Sequence, residues 1–579
     1  MSKFIRVNFS DMSVIEEAVT EKYSLLAGRA LTSRLVSDEV PPNCHPLGPN
    51  NKLVFSPGMV TGTAAPSSGR ISVGGKSPLT GGIKESNAGT PVSQKIARLG
   101  IRAIILEGLP KEKNKFWILE LDKHGARLVP ADNLAGKRME ETNKELLSRY
   151  GDKVGLVGVG PAGEMRLSGA GVCFNDPEFR PSRYSARGGL GAVMGSKGLK
   201  AIVVNDADGP GVEIKDKDLF KQGQKKVVEA LRTHDLTKPG GVLNAYGTSA
   251  VINVMSEVGA LPVRNFAEGR FKGAAKTSGE AIAEAIKERG GGMTGHSCHP
   301  GCIIQCSNVY PRPDGSEHVS CIEYESDWAF GANCEIDNLD QIAELIRLCN
   351  DIGLDTIETG ATVGVAMEAG VIPFGDGEAA IKLVDEIGQG TPLGRVIGCG
   401  AAVTGQVFGQ YKVPVVKKQA MPAYDPRGVK GIGVTYATST MGADHTAGYA
   451  IASEVFGVAG KLDPLSTEGK VELSRNLQVA TAFIDSTGYC LFIAFAIMDI
   501  PSGFEGVVET VNAVLGTQYT AEDVGRIGME IMQMERNFNR MAGLNEASDR
   551  LPEFMISENL PPHNHVFDIS DEELDKVWG

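Results

Sequence analysis

Cysteine is scarce in this chain, with ten in 579 residues. That is too few for a disulfide-stapled scaffold and points to a reducing compartment. Histidine is scarcer still, at nine, and no H-x3-H, HExxH or ExxH spacing occurs, which argues against a histidine-built metal site. Aromatics make up only 6%. Basic residues are outnumbered 58 to 71, a net charge of −13, so a nucleic-acid role has no electrostatic footprint. Long apolar runs are missing as well. The longest, CLFIAFAIM from Cys490 to Met498, is far too short to span a bilayer. The opening MSKFIRVNFSDMSV has no apolar h-region, so no secretory signal is expected and a cytoplasmic protein is.

What the chain does have is glycine and one bunch of thiols. The 72 glycines are about 12% of the residues against a usual ~7%. They follow no collagen period, and they suit a backbone wrapped closely around something large. Cys298, Cys302 and Cys306 fall in one turn-prone segment, CHPGCIIQC. Soft thiolates at this density suit an iron–sulfur cluster, which usually takes four. The candidate fourth is Cys490, in IDSTGYCLF. Structural zinc usually shows paired knuckles, of which only one set is present, and free thiols bunched by chance are the remaining reading.

At this length two to four domains are expected. Residues 5–9, 102–109, 115–122 and 201–205 have strand character, so the first two hundred residues read as β-rich. No regular alternation with helices is visible, which disfavours a doubly wound parallel sheet. Segments 66–90 and 180–200 mix glycine with Arg, Lys, Ser and Asn. They read either as loops that hold phosphate or a polar heterocycle, or as ordinary solvated loops. GGLGAVMG precedes a strand and is not read as a dinucleotide fingerprint. After a boundary near 206–216 the pattern turns helical, with helices expected over 218–232, 279–288, 339–349 and 356–369. Gly353 is the expected left-handed cap of the third.

NDIGLD (350–355) and DSTGYC (485–490) share one design, an acid or amide, two residues, Gly, one residue, then Asp or Cys. Two such helix breaks suggest two equivalent ligand halves, although either alone reads as an ordinary helix stop.

Taken together, GRISVGGKSPLTGGIKESNAG, RGGLGAVMGSKGLKAI, the cysteine triad, EYE, NDIGLD, AYDPRGVKGIGVTYATS, GADH, DSTGYC and ERNFNRMAG resemble the aldehyde ferredoxin oxidoreductase family of tungsten or molybdenum bis-pterin enzymes, from about residue 5 to 555. The resemblance implies an α+β fold, with a β-rich base domain (1–206) covered by two mainly helical domains (207–415 and 416–579) and the cofactor at their junction. It implies that Arg70, Asn87, Gly89, Arg183 and Arg187 contact the pterins and their phosphates, and that Asn350, Asp355 and Asp485 bind the pterin edges. It makes Cys298, Cys302, Cys306 and Cys490 ligands of one 4Fe–4S cluster, with Mg2+ a candidate bridge between pterin phosphates. Glu323 and His445 stand as the catalytic pair, Glu323 being preferred to Glu325, and Tyr424 faces substrate. Two departures stand out. The triad is C-x3-C-x3-C where C-x2-C-x3-C is usual, and Asn350 stands where Asp is common.

The implied chemistry is aldehyde oxidation to a carboxylic acid, in principle reversible. The carboxylate acts as general base, His445 orients the oxygen and Tyr424 stabilises charge on the carbonyl. Electrons leave singly through the cluster to ferredoxin or a small iron–sulfur subunit, in a homo- or hetero-oligomer with no integral membrane segment. Two alternatives stay open: another redox reaction on the same scaffold, such as reduction of an activated aromatic acid, and a non-catalytic electron-relay subunit.

Overall fold

The computed structural model describes residues 2–579. Two six-stranded sheets fill residues 3–204. The first contains β1 (Lys3–Asn8), β2 (Ser13–Ala18), β3 (Leu53–Pro57), β4 (Arg70–Lys76), β5 (Ile83–Gly89) and β6 (Ile101–Glu107), in the order β2-β1-β6-β3-β4-β5. The second contains β7 (Trp117–Asp122), β8 (Gly125–Pro130), β9 (Gly155–Gly158), β10 (Val172–Asn175), β11 (Pro181–Ser185) and β12 (Leu199–Val204), in the order β8-β7-β12-β9-β10-β11.

The second order is the first with six added to every strand number. In each sheet one pair is parallel, β1 with β6 and β7 with β12, and the other neighbours are antiparallel. Helices Gly28–Glu39 and Met139–Tyr150 occupy the same place in the two units, as do Pro91–Arg98 and Leu190–Ser196. The base is therefore a duplicated unit, its two sheets packed face to face. Ile5, Phe55 and Val73 from one sheet and Leu119, Phe174 and Ile202 from the other share one buried core.

The four expected strand segments are present, while the two glycine-rich segments differ from expectation. Segment 66–90 is mostly the buried hairpin β4–β5. Glycine is depleted in strands because it packs nothing, but here the missing side chain is required. A Cβ on Gly74 would lie 2.6 Å from Cβ of Thr32 in the helix Gly28–Glu39. Segment 180–200 contains β11 and then the seven-residue helix Leu190–Ser196, entered through Gly188 and Gly189 at φ of +83° and +76°. GGLG thus does open a helix, but β11 before it is an antiparallel edge strand, so this is no dinucleotide fold.

Beyond residue 206 the chain is mainly helical. Asp216 caps the helix Lys217–Thr233, and Asn338 caps Leu339–Ile352. Gly353 ends the latter in the left-handed conformation at φ +89°. No helix among the described residues is long and apolar enough to cross a membrane.

The two helix breaks dock on the duplicated base at matching places. The N–H of Arg70, at the start of β4, donates to the Gly488 carbonyl at 3.2 Å. The N–H of Gly171, just before β10, donates to the Gly353 carbonyl at 3.0 Å. A Cβ on Gly58, after β3, would lie 2.1 Å from Gly488 Cα, and one on Gly160, after β9, would lie 2.2 Å from the Ile352 carbonyl oxygen. Backbone meets backbone at both seams, so neither can give way easily. Gly58→Ala is expected to destabilise the protein by about 1–3 kcal/mol, read as a lower chemical-denaturation midpoint. Gly525→Ala, inside the helix Ala521–Met541 with no heavy atom near its Cβ, is expected to gain up to about 1 kcal/mol.

Candidate active site

Where the two seams face each other, one cavity of about 440 Å³ opens between the base and the helical cover. Its lining includes every residue singled out from the sequence as a pterin contact, cluster ligand or catalytic group. The chain brings them there from the ends of β4, β5 and β11, from the triad loop, from both helix breaks and from the segment 424–445.

One corner holds the thiols Cys298, Cys302, Cys306 and Cys490, none of them in a disulfide. The triad loop is fastened to the base. Ser67 N–H donates to the Gly301 carbonyl at 2.9 Å, and the Gln94 side chain donates to the Pro300 carbonyl at 3.0 Å. Ser67 also accepts the N–H of Cys490 at 2.8 Å, so a single residue anchors both the triad and the distant fourth cysteine. Burial pushes the Cys306 and Cys490 thiols up, whereas Cys298, accepting from Cys302, is held down. Four half-buried thiols with no disulfide partner suit a soft metal cluster.

The floor is a pair of half-sites. Asn350 and Asp485 stand at equivalent positions of the two helix breaks, as do Asp355 and Cys490. Arg70, Arg183 and Arg187 line the cavity, the first partly and the other two almost wholly buried, which demands anionic partners. Arg70 uses its Nε on the Asn87 side chain, leaving its terminal nitrogens facing the cavity without a protein partner. Arg183 binds Ser307 and Cys321 through its terminal nitrogens, and its buried Nε has no partner. Arg187 donates to the Ala443 and Ala420 carbonyls at 2.7 and 2.6 Å and lies 3.4 Å from Asp355. Asp355 also caps Ile357 N–H at 2.9 Å, so its carboxylate is largely engaged. A Cβ on Gly89 would lie 2.7 Å from Cys298 Sγ, so glycine alone lets the floor approach the thiols this closely.

The residues present therefore fit anionic ligands in two half-sites beside four thiols that suit a soft metal cluster. The duplicated seams, the cationic floor with an unsatisfied guanidinium nitrogen, and the adjoining thiols each point the same way.

Reading the motifs did not find Arg29, Glu85 or Asp444. Arg29 sits in a helix buried on nearly every side, and it pairs with Glu535 at 2.8 Å and Asp485 at 3.3 Å. Glu535 is the first residue of ERNFNRMAG, but nothing in the sequence marks Arg29. Burial pushes the Glu85 and Asp485 carboxyls up, and the Asp485 charge adds to the effect on Glu85, although Arg29 and Arg70 offset part of the burial for Asp485. Asp444 lay within the quoted GADH. Burial alone would raise its carboxyl, yet Lys84, at 3.4 Å, and Arg187 hold it well below the usual range.

The two acids of EYE have different partners. Glu323 accepts from Thr248 at 2.6 Å, Ser307 at 2.9 Å and the Cys321 thiol at 3.0 Å. Its carboxylate is fully engaged on the thiol side of the cavity. Glu325 accepts only the Ala423 N–H, at 3.0 Å, through one oxygen. Its other oxygen lies 3.5 Å from His445 Nδ1, and both atoms lack a hydrogen-bond partner. Burial pushes the Glu325 carboxyl up to about 8 and the His445 imidazole down to about 4. Tyr424 stacks 6.0 Å from His445 and shares a 2.7 Å hydroxyl contact with Tyr449. The acid, imidazole and phenol that meet are thus Glu325, His445 and Tyr424.

The family profile "Aldehyde ferredoxin oxidoreductase, N-terminal domain" matches residues 4–206, and that for "domains 2 & 3" matches residues 222–578. The tungsten-containing aldehyde ferredoxin oxidoreductase of Pyrococcus furiosus is 36% identical over 96% of this chain and 92% of its own length. The Thermococcus kodakarensis protein of the same name is 35% identical over the same shares. A more distant relative, 25% identical over 85% of this chain, is the WOR-like subunit of an aliphatic sulfonate oxidoreductase from P. furiosus. Among solved structures, the active site complex BamBC of benzoyl coenzyme A reductase superposes with a TM-score of 0.80 at 17% identity, covering 100% of this chain and 93% of that one.

Proposed function

The chain belongs to the aldehyde ferredoxin oxidoreductase family, and from that premise we propose that it oxidises aldehydes to carboxylic acids at a tungsten bis-pterin centre. Cys298, Cys302, Cys306 and Cys490 would hold one 4Fe–4S cluster, which would supply the electron path to ferredoxin or a small iron–sulfur subunit. The observation that carries this reading is the joining, in one cavity, of a duplicated cationic floor, four thiols and an under-bonded Glu325–His445 pair. The three-domain division at residues 206 and 415 belongs to the same reading.

In this proposal Arg70, Arg183, Arg187, Asn87, Asn350 and Asp485 hold the pterins, with Asp355 orienting Arg187 and Gly89 leaving room. Cys298, Cys302, Cys306 and Cys490 hold the cluster. When bound, the metal would supply a two-electron acceptor for the aldehyde carbon, while the protein positions and insulates. The balance is RCHO + H2O → RCOOH + 2 H+ + 2 electrons.

The chain's own residues do the proton work. Glu325 Oε1 takes a proton from the attacking water, a role we give to Glu325 because the oxygens of Glu323 are already engaged by three donors. His445, neutral across the physiological range, accepts at Nδ1 and can pass that proton on. The Tyr424 hydroxyl donates to the carbonyl oxygen as charge develops there, with Tyr449 as its relay.

The test is anaerobic reduction of a viologen dye by the purified protein. Aldehyde-dependent reduction that requires tungsten is expected. Absence of aldehyde-dependent dye reduction in protein that carries its full iron would favour the relay-subunit alternative.

A further inference from the structure

The chain is acidic, with a net charge of −13, yet one helix carries a basic stripe. In the helix Lys217–Thr233, Phe220, Gly223, Val227 and Leu231 are buried. Lys217, Lys221 and Lys225 recur every four residues, and Arg232 follows seven residues later, so the four share one exposed flank. None of them has an ion-pair partner among the described residues. Lys226, on the flank toward the helix Pro501–Leu515, does pair, with Glu505 at 3.1 Å and Glu509 at 2.7 Å. Like charges one turn apart weaken a helix, so folding gains nothing from the stripe.

The stripe lies beside the thiol corner. Gln224, which borders it on the helix, donates to the Ala64 carbonyl at 2.5 Å. Ala64 is at most about 10 Å of chain from Ser67, the residue that anchors both Gly301 and Cys490. The helix Pro91–Arg98 ties the same strip of surface together. Arg98 donates to the Gly62 carbonyl at 3.3 Å, and Gln94 holds the Pro300 carbonyl. Pro300 and Gly301 are exposed, so the triad loop itself reaches the surface next to segment 62–67.

We propose that Lys217, Lys221, Lys225 and Arg232 form the docking ridge for an acidic one-electron carrier protein, which seats its carboxylates on the stripe and brings its redox centre to the Pro300–Gly301 turn. The inference rests on the reading that the four thiols hold a cluster. Each docking passes one electron, so two oxidised carriers are reduced for every aldehyde oxidised. Negative charge over the rest of the chain repels the same partner elsewhere, which confines docking to this face.

The test uses an acidic ferredoxin as carrier and cytochrome c, a basic one, as contrast. Lys221→Glu/Lys225→Glu should raise the KM for ferredoxin at least ~10-fold at low ionic strength, and added salt should bring the wild-type KM toward that of the variant. Aldehyde-dependent viologen reduction should be unchanged, because neither lysine lines the cavity. Cytochrome c reduction should not fall. Lys111→Glu/Lys113→Glu, on the exposed loop between β6 and β7, makes the same change in net charge and should leave the ferredoxin KM as it was. Titration calorimetry gives a readout apart from turnover: the Kd for ferredoxin should weaken by the same factor as KM. A ferredoxin KM and Kd unmoved in Lys221→Glu/Lys225→Glu, or moved as far in Lys111→Glu/Lys113→Glu, would overturn the ridge and leave the reaction class standing. Absence of aldehyde-dependent viologen reduction in the wild-type protein would overturn the reaction, while the Kd comparison would still decide the ridge.

Discussion

Glu325→Gln should retain its metal, its cluster spectrum and its melting temperature while losing at least ~10²-fold in turnover, the usual cost of removing a general base. The amide has the same shape and can keep the Ala423 contact, so nothing in the packing requires collapse. The change removes only an oxygen that can take a proton beside His445. The pH dependence gives an independent check. A base works when ionised, and burial holds Glu325 protonated up to about 8. The kcat/KM of the wild-type enzyme should therefore rise with pH below about 8, approaching tenfold per unit well below it, and then level off. In Glu325→Gln that limb should vanish. Glu323→Gln should be milder in turnover, but because Thr248, Ser307 and Cys321 all point at that carboxylate, it should disturb the thiol corner and shift the cluster signal. If Glu323→Gln were instead the silent-spectrum, low-turnover variant, the roles of the two acids would be exchanged.

The second large effect concerns Cys490. Replacing it by serine offers an oxygen where a soft thiolate is needed. Iron should fall from about four per chain to a small residue after desalting. Cys399→Ser, a thiol outside the cavity lining, should leave iron unchanged. Cys321 is the one further thiol lining the cavity among the described residues. A normal cluster in Cys490→Ser would move the fourth ligand there.

The thiol corner was legible because three cysteines in nine residues have few other uses. The paired helix breaks were legible as well, since Gly353 and Gly488 each needed a left-handed cap in a recognisable frame. The duplication beneath them was not. RISVGGK in β4 and VCFN in β10 share position and no residue pattern, because sheet order is set by pairing partners far apart in the chain. The two acids of EYE face different surroundings for a local reason. Glu323 is the extended residue at φ −101° that caps a helix, whereas Glu325 is already in its first turn. The backbone period changes between them, so an offset of two residues no longer keeps both side chains on one face. Arg29 was invisible because its helix is buried nearly all round and shows no apolar stripe.

What the purified protein carries decides between an aldehyde-oxidising centre and an electron relay. Elemental analysis of protein prepared anaerobically should find about four iron and one tungsten per chain, the tungsten accompanied by two pterins. Four iron with neither tungsten nor molybdenum, in fully loaded protein, would contradict an aldehyde-oxidising centre and leave only an electron relay.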